Sequence, residues 1–469
     1  MASLPRTALL LPLLSLGALC DPAVIVPPPD HSDPDTDDSR PLDAVVPLQD
    51  VQARLHETIE SLVYLSWEQL EPATVWVEYG LDGETWHSSP ALTLEPGPQQ
   101  ALLLGLPYGV EGGYRVLAQG DGYSWQGDPG LVTTGEQPHG VPSMEVLAVD
   151  PARLDPDTHF LLASIEEINT FGVATGSWSF IFDRMGRVVW ALETPQGRAT
   201  IHARVSYDGA DLLIDHNSFY GIFDWGALSQ VARVKIDGTQ LALYDTPGLH
   251  HPFTELPDHS IVYAATADTY DSIVQLQPSG ERETLWACQP FQEGLGVEQY
   301  CTSNTLVWNE PSASLLISFY SSETVVEIDR ESRQATRWFG HLPGAWGFDP
   351  EDSAFWWQHG AHFTDDGTLL VSTKIADGGE ETVVREYALD EDAQLLRQVW
   401  SFGEGQGIYG NVMGEAHRLG NGNTLHNYGS GTRVREITPS GELVWDVTFS
   451  SGTYLGRTTP LADLYALAP

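Results

Sequence analysis

Hydrophobic and polar residues alternate with a period of two along most of this chain, in short runs separated by turn residues. The stretch "HARVSYDGADLLID" has one such run, a turn with Asp and Gly, and then a second run. Alternation of this kind is typical of half-buried β-strands, whereas a helix repeats about every 3.6 residues. Long stretches with the helical period are scarce, so the sequence predicts an all-β protein.

Units of this first type recur as "HHPFTELPDHSIVYA", "QHGAHFTDDGTLLVS" and "EAHRLGNGNTLHNY". Each is followed by a second unit, such as "VREITPSGELVWDVTF", in which a hydrophobic strand and a turn precede a strand that often ends in Trp. The two units together make four strands in roughly 40 to 55 residues, which is typical of a propeller blade. Five blades are predicted, starting near His202, His250, Thr302, Gln358 and Glu415.

A sixth blade is predicted from the two ends of the repeat region. The segment "FIFDRMGRVVWALET" is a further unit of the second type, and "TYLGRTTPLADLY" near the C-terminus supplies strands to complete its sheet. Such closure removes exposed sheet edges. The prediction is therefore a six-bladed β-propeller over residues 144–469.

A different pattern fills residues 48–137, where "SLVYLSWEQLEP", "VWVEYG" and "LLLGLPYGVEGGYRV" resemble fibronectin type III-like domains. Such domains carry a core tryptophan and a late tyrosine, which would here be Trp67 and Tyr114. The resemblance implies a small β-sandwich domain ahead of the propeller. No chemistry is assigned to it.

The N-terminal residues predict export. Residues 1–20 have one arginine and then an apolar run too short to span a membrane, which is typical of a signal peptide. Cys20 closes the run and resembles the acylated cysteine of bacterial lipoproteins, so a periplasmic or cell-surface lipoprotein and a secreted protein are both open. Residues 21–47 are rich in Pro and Asp and predict a disordered acidic linker.

The formal net charge of −43 narrows the choice of partners. It argues against nucleic acid and against anionic lipid head groups, both of which require a basic surface. Membrane attachment is expected only through a lipid on Cys20. An anionic substrate would need a local positive patch within this field.

Two cysteines remain, Cys288 and Cys301. In an oxidising compartment we expect them to form a disulfide, and the alternative is a pair of free thiols.

The first-type units align on their turn Asp or Asn, and this alignment gives the histidines a common register. The first strand of a propeller blade lines the central channel, so equivalent positions in different blades converge. Six of the 15 histidines share this level: His202, His250, His251, His359, His362 and His417. Taken singly, each could be a structural histidine; as a group they favour a functional cluster.

Converging imidazoles suit two kinds of chemistry. They bind transition metals such as zinc, copper or iron. Alternatively they hold an oxyanion and transfer a charged group through a covalent histidine intermediate, because crowded imidazoles lower one another's pKa and some stay neutral. No cofactor is predicted and no metal ligands are assigned.

The motifs "LHHPFTELPDHSIV", "SNTLVWNEPSASLLISFYSSETVVEID", "QHGAHFTDDGTLLVS" and "LGNGNTLHNYGSGTRVREITPSGELVWD" resemble the bacterial arylsulfotransferases. The resemblance covers residues 145 to 467. It implies an exported six-bladed propeller that moves a sulfuryl group from an aryl sulfate to a phenol through a sulfated histidine, with no nucleotide sulfate donor. The partners it implies are therefore small molecules, an aryl sulfate and a phenol.

The resemblance also implies roles for individual residues. His251 and His359 would hold sulfate oxygens, and His417 is the predicted nucleophile. The other predicted members of the site are His362, His250, His202, Asn304 and Trp357, with Trp357 as an aromatic surface for the phenol.

Two positions depart from the family pattern. Thr302 stands where the family has a histidine, and the family's arginine is replaced by either Lys374 or Arg385. Lysine is the poorer bidentate donor. A catalytically inactive, surface-anchored binding or scaffold propeller is therefore the alternative function.

Overall fold

The computed structural model describes residues 45–81, 86–168, 174–267, 269–450 and 453–468. The predicted signal peptide, Cys20 and the linker up to residue 44 lie outside the described residues. Residues 46–469 form one compact unit.

The predicted β class is confirmed, because 54% of the chain is strand and 5% is helix. The first strands are β1 (Leu48–Leu55), β2 (Val63–Gln69), β3 (Ala73–Leu81), β4 (His87–Ser88), β5 (Leu92–Leu94), β6 (Gly97–Leu103), β7 (Glu111–Gly120), β8 (Tyr123–Gln126), β9 (Gly130–Thr133), β10 (Met144–Val149), β11 (Phe160–Ile168), β12 (Ala174–Asp183), β13 (Val188–Glu193), β14 (Ala203–Val205), β15 (Leu212–His216), β16 (Gln230–Val234) and β17 (Gln240–Asp245). The later strands are β18 (Leu249–Glu255), β19 (Ile261–Ala267), β20 (Tyr270–Leu276), β21 (Arg282–Ala287), β22 (Ser303–Asn309), β23 (Ser314–Phe319), β24 (Thr324–Asp329), β25 (Ala335–Gly340), β26 (Gly347–Asp349), β27 (Trp356–Phe363), β28 (Leu369–Lys374), β29 (Thr382–Asp390), β30 (Leu395–Phe402), β31 (Glu415–Arg418), β32 (Thr424–Asn427), β33 (Arg433–Ile437), β34 (Leu443–Phe449) and β35 (Thr453–Leu461).

Helices are short and lie between strands. They are α1 (Ser218–Ile222), α2 (Cys288–Gly294) and three 3-10 turns at Glu351–Ser353, Gly429–Gly431 and Tyr465–Leu467. No helix in the described part of the chain has the length and apolar character needed to cross a membrane.

Two sheets are built from the strands before residue 134. One has the order β1-β2-β6, and the other has β4-β3-β7-β8 with β5 and β9 attached. Alternate residues of β2, β3 and β7 point into one shared hydrophobic core, which contains Trp67, Val75 and Val116. The alternation in the sequence therefore gives the inward and outward faces of these strands correctly.

The later strands form sheets of four or five, and neighbouring strands within the sheets are mostly antiparallel. Their orders are β13-β12-β11-β35, β14-β15-β16-β17, β18-β19-β20-β21, β22-β23-β24-β25, β26-β30-β29-β28-β27 and β10-β34-β33-β32-β31. The C-terminal strand β35 pairs with β11, so residues 453–461 lie beside residues 160–168. This succession of up-and-down sheets is a β-propeller-like fold.

The first strands of successive sheets contact one another. β18 lies against β22, β22 against β27, β27 against β31, and β14 against β35. Side chains that are far apart in sequence are thereby brought close together. Gly360 marks one such close approach, because its φ is +64° and a Cβ there would lie 2.4 Å from the Cβ of Glu415. This backbone conformation and lack of space require glycine in the motif "QHGAH".

Buried ion pairs join neighbouring sheets. The guanidinium of Arg184 donates to Glu436, and that of Arg233 donates to Glu255. All four side chains are at most 10% exposed. Breaking such a pair leaves an uncompensated buried charge, so these two pairs help to fix the sheets that they join.

The predicted disulfide is confirmed between Cys288 and Cys301. Both cysteines are buried, in the core that also contains Trp286 and Phe319. The bond closes the loop that carries α2, and a loop of this length contributes about 3 kcal/mol in the chain-entropy description.

Candidate functional site

Arg457 on β35 interacts electrostatically with four of the predicted histidines. Burial is the largest cause of a lowered pKa in His202, His251, His359 and His362, and the charge of Arg457 lowers the pKa of all four further. These histidines come from three different sheets, and the arginine from a fourth. The common register in the sequence thus corresponds to a common electrostatic environment in the structure.

Irregular strand pairing directs several of these imidazoles. The register between β18 and β19 shifts between Leu249 and Phe253, which is where His250 and His251 lie. The pairing of β27 with β28 shifts on both sides of His359. Bulges of this kind re-aim side chains and are common beside active sites.

Asp271, His250 and His251 form a continuous hydrogen-bonded chain. The Nε2 of His250 lies 3.0 Å from Oδ2 of Asp271, and its Nδ1 lies 2.9 Å from Nδ1 of His251. His250 and Asp271 are each at most 1% exposed. Asn217 fixes the backbone here by donating from its amide to the carbonyl of His250. We call His250 and His251 the coupled pair, and Asp271 its carboxylate.

Asp271 is held in its ionised form. Burial by itself would raise the pKa of this carboxyl, but His250 and hydrogen bonds from Ser303 outweigh burial and lower the pKa. The backbone N–H and the hydroxyl of Ser303 each donate to Oδ2 at 2.6 Å. An ionised carboxylate only accepts hydrogen bonds, so Nε2 of His250 carries a proton.

His359 has one nitrogen fixed and the other unbound. Its Nδ1 lies 2.9 Å from the carbonyl oxygen of Trp357 and must donate, because a carbonyl only accepts. Burial lowers the pKa of His359 to about 4, so at neutral pH the ring is uncharged and Nε2 carries a lone pair. The ring of Tyr320 stacks beside it, with centroids 6.3 Å apart and an angle of 15°.

His362 and His417 form a second group with Glu415. Their ring centroids are 5.8 Å apart, and each ring is bonded to a different backbone carbonyl. Nδ1 of His362 donates to Gly360 at 2.9 Å, and Nε2 of His417 donates to Thr458 at 2.8 Å. We call His362 and His417 the pinned pair, since each imidazole is held separately.

Glu415 is the carboxylate of the pinned pair. Burial by itself would raise the pKa of Glu415, but Arg457, His417 and the backbone N–H of Thr458 outweigh it and lower the pKa well below its usual range. The Nε of Arg457 lies 3.0 Å from Oε2 of Glu415. The terminal nitrogens of Arg457 have no hydrogen-bond partner among the described residues, and its side chain is 11% exposed.

Arg204 adds a second buried cation. Its guanidinium donates to the carbonyl of Phe253 and, at 2.8 Å, to the hydroxyl of Thr254. Burial, and then the nearby Arg457, lower the pKa of Arg204 to about 10, so it remains charged at neutral pH. The cluster thus contains two buried cations, Arg204 and Arg457, together with the ionised carboxylates of Glu415 and Asp271.

Of the two cations expected from the sequence, Arg385 has a structural role and Lys374 lies beside Trp357. Arg385 is buried and donates to the backbone carbonyls of Ala354 and Ile375, which is a structural role. The Nζ of Lys374 lies over the rings of Trp357 and Tyr409, 4.4 and 5.4 Å from their centroids. Lys374 is near enough to contribute to the lowered pKa of His359, after burial and Arg457.

Asn304 and Trp357 flank His359. The side-chain amide of Asn304 donates to the carbonyl of Gln358 at 2.7 Å and so holds the strand that carries His359. Trp357 is 41% exposed and adopts a positive φ of 50°. Its ring lies 5.8 Å from that of Tyr320, so two aromatic side chains adjoin His359.

Four residues of this site are absent from the sequence-based prediction: Arg457, Asp271, Tyr320 and Glu415 as a carboxylate of the cluster. Arg457 and Asp271 lie outside the first-type units that gave the histidine register. Asp271 is on the third strand of its sheet, and Arg457 is on the strand that pairs with β11. The only available signal is a charged residue within each of these strands.

Two further features of the described residues bear on other candidate sites: metal-binding geometry and a cavity on another part of the surface. Among the described residues, no group of three or more His, Cys, Asp or Glu side chains is arranged to hold a metal ion. A cavity of about 430 Å³ lies away from the histidines, around Arg337, Glu327 and Trp346. Arg337 is already paired there with Glu327 and Glu391.

Comparison with known proteins gives distant structural likenesses only. The sequence matches no family model and no curated protein. A protein of unknown function from Bacteroides caccae is 15% identical, covers 65% of this chain and 100% of its own, and has a TM-score of 0.45. A streptogramin B lyase is 12% identical, with coverage of 68% and 97% and a TM-score of 0.37. A regucalcin from Agrobacterium tumefaciens is 12% identical, with coverage of 66% and 95% and a TM-score of 0.33. None of these neighbours is described as an arylsulfotransferase.

Proposed function

We propose that this protein is an exported arylsulfate sulfotransferase-like enzyme that moves a sulfuryl group from an aryl sulfate to a phenol. The observation that carries the proposal is the state of His359, whose Nδ1 donates to the carbonyl of Trp357 while Nε2 is left with a lone pair. A neutral imidazole so oriented is a nucleophile, and it lies near the cation Arg457.

The site has the parts that sulfuryl transfer requires. Like phosphoryl transfer, the reaction needs an in-line nucleophile and fixed donors on the equatorial oxygens. His359 is the nucleophile in this proposal, and the terminal nitrogens of Arg457 bind the sulfate oxygens. Tyr320 and Trp357 provide aromatic surface for the aryl group. We assign the nucleophile to His359 rather than His417, because Tyr320 and Trp357, the aromatic side chains that would hold the aryl group, adjoin His359.

In the first half-reaction, Nε2 of His359 attacks sulfur and the bond from sulfur to the phenolic oxygen breaks. The phenolate leaves with the electron pair, and the sulfuryl group stays on Nε2. In the second half-reaction, an acceptor phenol takes the sulfuryl group and loses its proton. The breaking bond returns its electron pair to Nε2, which restores the neutral imidazole.

The architecture we propose for this activity is a six-bladed propeller at 144–469 behind a fibronectin type III-like sandwich at 48–137. The successive sheets, the contacts between their first strands and the pairing of β35 with β11 support it. Export as a lipoprotein acylated on Cys20, or as a secreted protein, remains part of the proposal. Labelling with a fatty-acid analogue, and its loss in Cys20→Ala, separates these two routes.

The test is a burst experiment with p-nitrophenyl sulfate. Wild-type protein should release one nitrophenolate per site and then carry a sulfuryl group on His359, detected by mass spectrometry. His359→Gly should abolish the burst, and added imidazole should restore nitrophenolate release by accepting the sulfuryl group. A wild-type protein that releases no nitrophenolate and gains no sulfated histidine would refute the proposal for this substrate class.

One observation favours the alternative of a binding or scaffold propeller without catalysis. Arg457 already faces Glu415 at 3.0 Å, and this carboxylate offsets the positive charge that a sulfate would use. The alternative predicts that aryl sulfates neither bind nor react. Calorimetric titration with an unreactive aryl sulfonate distinguishes the two, because the enzyme should bind it and the scaffold should not.

A further inference from the structure

The hydrogen-bonded chain from Asp271 through His250 to His251 has two possible proton patterns, which differ in which Nδ1 donates to the other. In both, ionised Asp271 accepts from Nε2–H of His250. In the first pattern His250 carries only that proton, and its Nδ1 accepts from Nδ1–H of His251 across 2.9 Å. The Nε2 of His251 is then left with a lone pair, so His251 can accept a proton there but cannot donate one.

This pattern conflicts with the role that the arylsulfotransferase resemblance implies for His251. A nitrogen that holds a sulfate oxygen must donate a hydrogen bond to it, and Nε2 of His251 has no hydrogen to donate. His251 lies on β18, which contacts β22, and β22 in turn contacts β27, the strand that carries His359.

We infer that the hydrogen-bonded chain adopts this first pattern, and that Asp271, His250 and His251 form a proton relay that deprotonates the acceptor phenol during the second half-reaction. His251 would be the group that contacts the acceptor, and His250 and Asp271 are positioning residues. The inference rests on the proposed function, since it names the base of that same site.

In the second half-reaction, the phenol oxygen attacks the sulfur of sulfated His359. The bond from sulfur to Nε2 breaks, and its electron pair stays on Nε2. The phenol proton passes to Nε2 of His251, and the Nδ1 proton of His251 passes to Nδ1 of His250. The product is an imidazolium at His250 beside the carboxylate of Asp271, and it returns the proton to solvent after the aryl sulfate leaves.

The buried carboxylate of Asp271 would stabilise the imidazolium that the relay forms at His250. An imidazolium formed in a site that excludes water is costly unless a counter-charge is fixed beside it. Two hydrogen bonds from Ser303 hold Asp271 ionised and oriented. Orienting an imidazole and stabilising its charged form are the tasks of the carboxylate in the Ser-His-Asp triad.

Asp271→Asn is the central variant, and Asp215→Asn is its matched control. Asp215 is equally buried and accepts from the backbone N–H groups of Ile201 and His202, but the side chain of neither residue donates to it. The readout is the two half-reactions measured separately: the nitrophenolate burst, and the decay of the sulfated enzyme with phenols of increasing pKa.

We expect Asp271→Asn to keep the burst and to slow transfer to unsubstituted phenol about 100-fold, the usual size of a general-base contribution. The loss should shrink for acidic nitrophenols, which need no base. Ser303→Ala should show a smaller loss with the same dependence on acceptor pKa, and Asp215→Asn should show none. Equal slowing of both half-reactions, or a loss independent of acceptor pKa, overturns the relay.

A spectroscopic readout tests the relay without activity. Nitrogen-15 spectra of the wild-type histidines should show the proton of His250 on Nε2 and that of His251 on Nδ1. A proton on Nε2 of His251 in the resting protein overturns the inference. If the wild-type protein gives no nitrophenolate burst, the proposed function fails, and these spectra still decide whether the hydrogen-bonded chain has the stated tautomers.

Discussion

The coupled pair and the pinned pair contain the same residue types but are built differently. His250 and His251 bond to each other and share the carboxylate of Asp271 through one nitrogen. His362 and His417 lie with ring centroids 5.8 Å apart, and each donates to its own backbone carbonyl. A proton added to one ring of the coupled pair changes the hydrogen bonding of both rings. In the pinned pair, each ring keeps the tautomer that its own backbone carbonyl fixes.

The carboxylates follow the same division. Asp271 accepts only from His250 and Ser303, so its charge is available to an imidazolium. Glu415 faces the guanidinium of Arg457 at 3.0 Å and also accepts from the backbone N–H of Thr458. The coupled pair is thus suited to proton transfer, and the pinned pair to holding a cation in place.

The largest expected effect on stability comes from Glu415, the carboxylate of the pinned pair. Glu415→Ala removes the counter-charge of Arg457 and the acceptor of the Thr458 backbone N–H, both in a buried environment. The free energy of unfolding should fall by about 3–5 kcal/mol, the usual cost of breaking a buried ion pair, measured by urea denaturation.

The control for Glu415→Ala is Glu442→Ala. Glu442 pairs with Arg153 on the surface, where the two side chains are 61% and 41% exposed. Loss of this pair should change stability by no more than about 1 kcal/mol. Similar losses in the two variants would mean that Glu415 is not the structural counter-charge of Arg457.

The second prediction concerns acid. Burial lowers the pKa of His362 to about 4, below the value of about 6.5 expected in the unfolded chain. The unfolded state therefore binds more protons between these values. The stability that neutral His362 contributes is full above pH 6.5 and is lost as the pH falls towards 4, by about 3 kcal/mol.

Between pH 6.5 and 4, the free energy of unfolding of His362→Asn should depend less on pH than that of the wild type, by the contribution of one proton. The wild-type and variant curves must be compared with each other, because Asp215 acts in the opposite direction. Burial raises the pKa of Asp215 to about 8, so the stability that Asp215 contributes is lost as the pH rises from 3.8 to 8. Parallel curves for wild type and variant would show that His362 is not buried in its neutral form.

The third prediction measures coupling directly. A double-mutant cycle with His250→Gln and His251→Gln should give an interaction energy in unfolding of about 1–2 kcal/mol, because the two rings share a hydrogen bond. The same cycle with His362→Gln and His417→Gln should give a smaller interaction energy, because these two rings share no hydrogen bond with each other. If the second cycle showed the larger coupling, the distinction between the pairs would be reversed.

The sequence predicts the histidines of both pairs better than their partners. His251 and His359 share a level because the turn Asp fixes the register within each repeat, and a repeat can be aligned without a structure. Arg457 depends instead on how β35 pairs with β11, almost 300 residues away in the chain. That register follows from the closure of the sheets and leaves no local pattern.

Arg385 shows the reverse error in physical terms. It lies on β29, close in sequence to the His359 strand, and lysine or arginine at that distance was the expected sulfate-binding cation. Its guanidinium instead donates hydrogen bonds to the backbone carbonyls of Ala354 and Ile375. The pattern of hydrophobic and polar residues does not predict these two hydrogen bonds. The mostly β class and the disulfide were predictable because they depend on local alternation and on having two cysteines to pair.

The smallest expected effect separates Arg457, which faces Glu415 of the pinned pair, from Lys374, which lies over Trp357 and Tyr409. Lys374→Met removes a charge that stacks on Trp357 and Tyr409, an interaction of about 0.5–1 kcal/mol, so KM for aryl sulfate should rise about two- to fivefold with kcat unchanged. Arg457→Lys keeps the charge opposite Glu415 but loses the planar pair of donors, so it should lower kcat by more than Lys374→Met does. If Lys374→Met lowered kcat more than Arg457→Lys did, the sulfate would bind beside Trp357 and Tyr409, away from the pinned pair. Arg457 would then be a structural partner of Glu415 alone.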